Sequence, residues 1–141
     1  MNRDSIRIET LSAEYISRNI TQILAIASDV PGEYWSESHF LYELPEKWKL
    51  SFCAREGDVI AGYAILSRRS PDTVHLHHFM VARSCRGLGM GAMMLTEAAH
   101  RATSANAKKM SLKVGEDNAR AIAFYRQSGF RQVDSANGYL T

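Results

Sequence analysis

Three glycines at alternating positions, in Arg86-Gly87-Leu88-Gly89-Met90-Gly91, constrain this chain more than any other stretch. Ahead of them, Val74 to Val81 is apolar or aromatic at most places and bounded by turn residues, the pattern of a strand. Behind them, Ala92 to Ala102 consists of good helix formers with neither Gly nor Pro. A strand therefore feeds a glycine-rich turn that opens a helix. Such a turn frees several backbone N–H groups and adds the positive end of the helix dipole. Arg86 supplies a formal charge beside them, so the segment suits a phosphate or pyrophosphate. A plain tight turn needs one glycine with positive φ; three with an Arg favour the anion.

Two nucleotide folds use comparable loops. Gly87-x-Gly89-x-x-Ala92 satisfies the dinucleotide fingerprint, but there the first glycine follows its strand almost at once. Here five residues separate Val81 from Gly87, and only 50 follow Gly91, too few for the remaining βα units. The phosphate loop of nucleotide hydrolases, GxxxxGK followed by Ser or Thr, does not occur.

The rest of the chain reads as follows. Ile6 to Glu9 forms a short strand, and Ser12 caps a helix to about Ser28, with Ile16, Ile20, Ile23, Leu24 and Ala27 at helical spacing. Asp29-Val30-Pro31-Gly32 breaks it, and Ser36 caps a second helix through Leu44 that Pro45 ends. Trp48 to Arg55 and Val59 to Arg68 are expected to form a hairpin across Glu56-Gly57-Asp58. After the central helix come a strand from Lys109 to Val114 and a helix from Asn118 to Ser128 with Gly129 as its C′ residue. A strand from Phe130 to Asp134, a turn at Ser135-Ala136-Asn137-Gly138 and a start of strand at Tyr139-Leu140 close the chain. Hairpins followed by αβ alternation imply an α+β (α/β-like) mixed sheet with helices on both faces.

With 141 residues, 45% of them hydrophobic and 23% charged, the chain is expected to form one globular domain over 1–141. A net charge of +2 gives no argument for nucleic acid or an anionic membrane. No apolar run approaches the roughly 20 residues of a membrane span, and Met1-Asn2-Arg3-Asp4 leads into no signal-peptide core. Cys53 and Cys85 form no CxxC, so free thiols in a reducing cytoplasm are expected, with a Cys85 nucleophile as an alternative.

These motifs resemble the GNAT superfamily of acetyl-CoA-dependent N-acetyltransferases. Its signature after the fourth strand is Gln or Arg, two residues, Gly, one residue, then Gly or Ala; Arg86, Gly89 and Gly91 match it. Its second block, an Asn, a helix bearing a Tyr, and Gly-Phe, is matched by Asn118, Tyr125 and Gly129-Phe130. The resemblance covers nearly the whole chain and implies a mostly antiparallel central sheet. It implies that Phe79, Met80 and Val81 offer backbone groups to the pantetheine arm where the strand splays from its neighbour. Arg86, Gly87, Leu88, Gly89, Met90, Gly91 and Ala92 would hold the pyrophosphate, Asn118 would contact pantetheine, and Tyr125 would protonate the departing thiolate. Asn118 as a helix cap and Tyr125 as a core aromatic are the structural alternatives.

A strict period of two puts His75, His77, Phe79 and Val81 on one face of the central strand and His78 on the other. The histidines admit core, metal or catalytic roles; no acidic or Cys ligand lies near them in sequence, and no metal is expected. His75-Leu76-His77 is similar to the H-L-H-x-L-x-V strand of arylalkylamine N-acetyltransferases, whose two histidines relay a proton. Pro31-Gly32-Glu33-Tyr34-Trp35-Ser36-Glu37-x-x-Phe40 is similar to the W-S-E-x-x-F entry of ribosomal-protein alanine acetyltransferases, which modify a protein N-terminus. Those enzymes carry a glutamate base where this chain has Lys113, which moves the base role to the histidines.

The resemblance thus implies direct transfer from acetyl-CoA to a primary amine, on a small molecule or a peptide N-terminus. A CoA-binding module without turnover is the alternative, and Tyr125 with a histidine pair speaks against it. Glu33, Tyr34 and Trp35 are the candidate acceptor contacts, an aromatic wall with a carboxylate. The histidine pair points to a basic alkylamine or polyamine-like acceptor, with the α-amine as its rival. Because the chain stops at Thr141, the final hairpin is expected to be short or completed by a partner in a homodimer.

Overall fold

The computed structural model describes residues 5–30, 35–133, 135–136 and 139–140. Glu33 and Tyr34, with Pro31, Gly32, Asp134, Asn137 and Gly138, lie outside the described residues. The elements run β1 (Arg7–Thr10), α1 (Ala13–Arg18), α2 (Ile20–Ala27), α3 (Glu37–Leu41), α4 (Lys47–Leu50), β2 (Phe52–Glu56), β3 (Val59–Ser70) and β4 (Thr73–Val81). They continue with α5 (Met90–Ser104), β5 (Lys109–Leu112), β6 (Val114–Gly115), α6 (Ala119–Gln127), β7 (Ser135–Ala136) and β8 (Tyr139–Leu140). One sheet has the order β1-β2-β3-β4-β5, antiparallel except for the β4–β5 pair, and β6-β8-β7 make a second. No described helix is long and apolar enough to cross a membrane.

Helices cover both faces of the large sheet. On one face α5 lays down Met90, Met94, Ala98 and Ala102, a repeat of four residues, with Leu95 beside them. They pack on Ala61, Ala64, Leu66, Val74 and Leu76. Full burial of each Met or Leu contributes about 1.5–3 kcal/mol. On the other face Ile16, Ile23, Ile26 and Phe40 close over Cys53, Tyr63, Ile65 and Met80. Cys53 and Cys85 are both free thiols, one in each core and both buried, which leaves Cys85 unavailable as a nucleophile.

Several boundaries depart from the sequence reading. The first helix is two, broken at Asn19, whose Nδ2 donates to Tyr15 O at 2.9 Å and competes with the backbone ladder. The next helix stops at Leu41, because Tyr42 turns to extended backbone. Lys47–Leu50 is helical, taking in the Trp48 start of the expected strand, which begins instead at Phe52. The buried Lys47 Nζ donates to Phe40 O at 2.5 Å and Tyr42 O at 2.6 Å, tying α4 to the end of α3. The strand expected from Lys109 breaks at Lys113, and Phe130–Val133 is no strand. Phe130 is drawn into the cap of α6, its N–H bonding Tyr125 O at 3.0 Å beyond Gly129 at φ 102°.

The consequential departure is a bulge in β4. Ile65 pairs with His78 and Leu66 with Leu76, so His77 is the extra residue. Phe79 and Val81 therefore turn to the α5 face with Val74 and Leu76, while His75 and His77 remain opposite. The strict alternation expected from sequence fails at this one residue.

Candidate active site

β4 and the edge strand β5 part company at the bulge. β4 pairs with β5 only from Thr73 to Leu76, whereas its pairing with β3 continues to Val81. From His77 onward the β5 side of β4 is open. The gap forms a cleft of about 530 Å³ whose walls are β4, the glycine turn, the β5–β6 junction and α6.

At one end lies the turn. Gly87 and Gly89 have φ of 81° and 76°, left-handed conformations that keep a side chain out of the loop. Among the described residues, no N–H from Gly87 to Ala92 donates to a loop or cap carbonyl, and the first N–H groups of α5 have no partner one turn back. The turn thus leaves backbone donors free at one end of the cleft. Arg86 lies beside it, with its Nε 3.3 Å from Val81 O. Arg83 and Arg86 each approach Asp29 at 3.8 Å.

In the middle, Phe79 packs on Phe124 and Tyr125, with ring centroids 6.0 and 6.3 Å apart. Asn118 caps α6 through its Oδ1, 3.2 Å from Ala121 N, and also lines the cleft. The capping bond leaves the residue on the cleft wall. Phe79, Met80, Val81, Arg86, Gly87, Gly89, Met90, Gly91, Ala92, Asn118 and Tyr125 all meet at the cleft; Leu88 is exposed outside its wall.

The histidines divide. His77 lines the cleft, whereas His75 is 4% exposed and stands behind it. Ser67 Oγ is 2.6 Å from His77 Nε2, Ser111 Oγ is 2.8 Å from His75 Nδ1, and the two rings meet edge to face at 4.6 Å. Burial, reinforced by Arg69, His77 and Lys113, lowers the His75 pKa to about 3. Burial, then Arg69 and Lys47, lowers that of His77 to about 4. Both imidazoles are neutral at pH 7.

His78 also reaches the cleft, stacked on Trp35 at 4.6 Å and 13°, with Nδ1 2.8 Å from the Tyr63 hydroxyl. Trp35, of the expected acceptor contacts, therefore stands against the cleft wall. Sequence alternation assigned His78 to the face away from the histidine pair; only the bulge brings it here. Asp29, Lys113 and Arg120 also line the cleft, and nothing in their local sequence announced that Asp29 would lie there.

A glycine turn with free N–H groups thus stands at the splayed end of a parallel strand pair, with a Tyr and an Asn across the gap. The sequence model of the Acetyltransferase (GNAT) family matches residues 20–130, and the chain belongs to that family. It is 31% identical over 108 residues to N-alpha-acetyltransferase RimI of Mycobacterium tuberculosis, covering 74% of this chain and 66% of that one. Ard1 from Thermoplasma volcanium superposes with a TM-score of 0.81 at 22% identity, over 92% of this chain and 85% of that one. The PaiA N-acetyltransferase of Thermoplasma acidophilum, solved in complex with coenzyme A, does so at 0.79 and 18% identity, over 96% of both. These two likenesses establish the shared fold. The chain spans 27–30% of the length of several longer curated relatives.

Proposed function

We propose that the chain transfers the acetyl group of acetyl-CoA to a weakly basic primary amine, the α-amine of a peptide N-terminus. The cofactor assignment rests on the turn and on the open edge of β4, whose dimensions and free donors suit pyrophosphate followed by pantetheine. Bound acetyl-CoA supplies the thioester that the amine attacks directly. Holding two reactants in line contributes on the order of 7–11 kcal/mol.

The observation that supports an α-amine acceptor is the depressed basicity of His75 and His77. An alkylammonium has a pKa of about 10.4, and passing its proton to an imidazole of pKa about 4 costs roughly 9 kcal/mol. An α-amine, with a pKa of about 7.7–8.0, reaches neutral pH with a substantial neutral fraction and needs no such base. The alkylamine or polyamine expected from the histidine pair is therefore the less favourable acceptor.

The pair serves after the attack. Once the amine nitrogen has bonded to the carbonyl carbon its N–H is acidic, and neutral His77 on the cleft wall takes that proton and returns it to solvent through the open cleft, its ring held by Ser67 and by His75 packed behind it. As the C–S bond breaks, the Tyr125 hydroxyl gives its proton to the sulfur and is reprotonated from solvent. Acid–base assistance of this kind contributes roughly 10²–10⁴ in rate.

The test is a kinetic comparison of a short peptide with a free α-amine, its lysine-ε-amine counterpart blocked at the N-terminus, and a simple alkylamine. We expect the α-amine peptide to be acetylated with the highest kcat/KM at pH 7. Preference for the alkylamine would overturn the acceptor, and thermal stabilisation by NAD but not by CoA would overturn the transferase reading.

A further inference from the structure

The inner end of the cleft carries positive charge without a counter-ion. Lys113 follows Leu112, the last residue of β5 paired with β4, just as His77 follows Leu76 on the other side of the gap. Its side chain lines the cleft, the residue is exposed, and among the described residues it takes part in no ion pair. Arg69 is likewise exposed and without an ion pair among the described residues. The charges of Arg69, Lys113 and Lys47 all bear on the histidine pair.

Glu43 acts on Lys47, but among the described residues no carboxylate pairs with Lys113 or Arg69. Asp29 is the one acidic side chain among the described residues of the cleft wall, and it faces Arg83 and Arg86 at the opposite, turn-side end. Arg86 and the turn are matched to the donor's pyrophosphate. Lys113 is not: it lies at the β5–β6 junction and its charge bears on His75, and in the reading above the acceptor reacts beside that histidine pair. In a cleft partly closed to solvent, an unmatched cation attracts an anionic ligand and repels a cationic one.

We infer that the acceptor is a peptide N-terminus with an aspartate or glutamate among its first residues, whose carboxylate pairs with Lys113. This rests on the α-amine reading above. It adds that the residues following the amine are read by charge, and that basic N-termini are refused. Each extended residue advances the chain by about 3.3–3.6 Å, so a side chain two or three positions on reaches beyond the reacting amine.

The experiment uses three peptides of equal length that begin with the same residue and continue with two aspartates, two alanines or two lysines. Acetyl-CoA is the donor, and the enzymes are wild type and Lys113→Glu. We expect wild-type kcat/KM to fall from acidic to neutral to basic, spanning on the order of tenfold, and the span to narrow with added salt. Lys113→Glu should reverse the order. Equal rates for the three peptides with wild-type enzyme, or an order unchanged by Lys113→Glu, would overturn the charge reading while leaving the α-amine acceptor standing. Acetylation of an alkylamine but of none of the peptides would overturn the α-amine acceptor, and this inference with it. Acetylation of free aspartate in preference to the acidic peptide would assign the carboxylate to an amino acid and overturn the peptide.

Discussion

The rings of His75 and His77 meet edge to face with centroids 4.6 Å apart, and each is held by a serine from a neighbouring strand, Ser111 and Ser67. Two imidazoles so close, half enclosed and beside Arg69, cannot both carry protons near neutral pH. Both rings are therefore held neutral in the folded chain.

That property makes stability depend on pH in a defined window. In the unfolded chain each imidazole takes up a proton near pH 6.5; in the folded chain His77 resists until about 4 and His75 until about 3. Between those limits the unfolded state binds more protons, so lowering the pH favours unfolding, by about 1.4 kcal/mol per pH unit for each histidine. Above 6.5 the pair contributes no slope. The expected outcome is a Tm that falls between pH 6.5 and 4, and a visibly shallower fall in the His75→Gln/His77→Gln variant. Parallel curves for the two proteins would show that both rings titrate freely.

Much of this was legible from the sequence. Arg86-Gly87-Leu88-Gly89-Met90-Gly91, Asn118 and Tyr125 are local signals: each needs only its own strand, turn or helix to be recognised, and all but Leu88 line the cleft. What the sequence could not convey is the bulge at His77. Alternation assumes one residue against one, and nothing in Val74 to Val81 announces the insertion, because it is fixed by the register with Ile65 and Leu66. Lys47 was hidden for a similar reason. Its burial depends on the carbonyls of Phe40 and Tyr42, which only the tertiary fold brings to it.

Gly62 is a close-approach glycine that sequence gave no reason to notice. A Cβ at this position would lie 2.6 Å from Met80 O and 2.7 Å from Met94 Sδ, so its absence lets α5 sit down on β3 and β4. Met94 can swing away, but the backbone oxygen cannot. Gly62→Ala should destabilise the protein by about 1–3 kcal/mol, read as a lower urea midpoint. An unchanged midpoint would mean the two strands separate at no cost.

Gly89→Glu places a negative charge in the cradle at a residue with φ 76°. Some destabilisation, roughly 1–2 kcal/mol, comes from the left-handed conformation alone. Gly57→Ala is the control, since Gly57 has φ 57° in the β2–β3 turn, away from the cleft. Acetyl-CoA should raise the Tm of wild type and Gly57→Ala but not that of Gly89→Glu. A retained shift in Gly89→Glu would move the pyrophosphate elsewhere.

Tyr125 and His77 are separable because the proposed mechanism gives them different protons to handle. Tyr125→Phe keeps the contacts with Phe79, Phe124 and Phe130, whose centroids lie 6.3, 5.3 and 5.6 Å away, so acetyl-CoA affinity should change little. Its kcat should fall at least about tenfold, because the thiolate then departs without its acid. His77→Ala removes the acceptor of the amine's proton, and its kcat should also fall about tenfold or more. The pH profiles tell the two apart from a structural defect. For wild type acting on an α-amine, kcat/KM should rise once, with an apparent pKa of about 7.7–8.0 set by the substrate. No second limb should appear near 6.5, because folding keeps His77 neutral down to about 4. Both variants should retain that single limb at reduced height. A limb near 6.5 in wild type that disappears in His77→Ala would show an imidazole titrating in the ordinary range, and would restore His77 as the base that deprotonates the incoming amine.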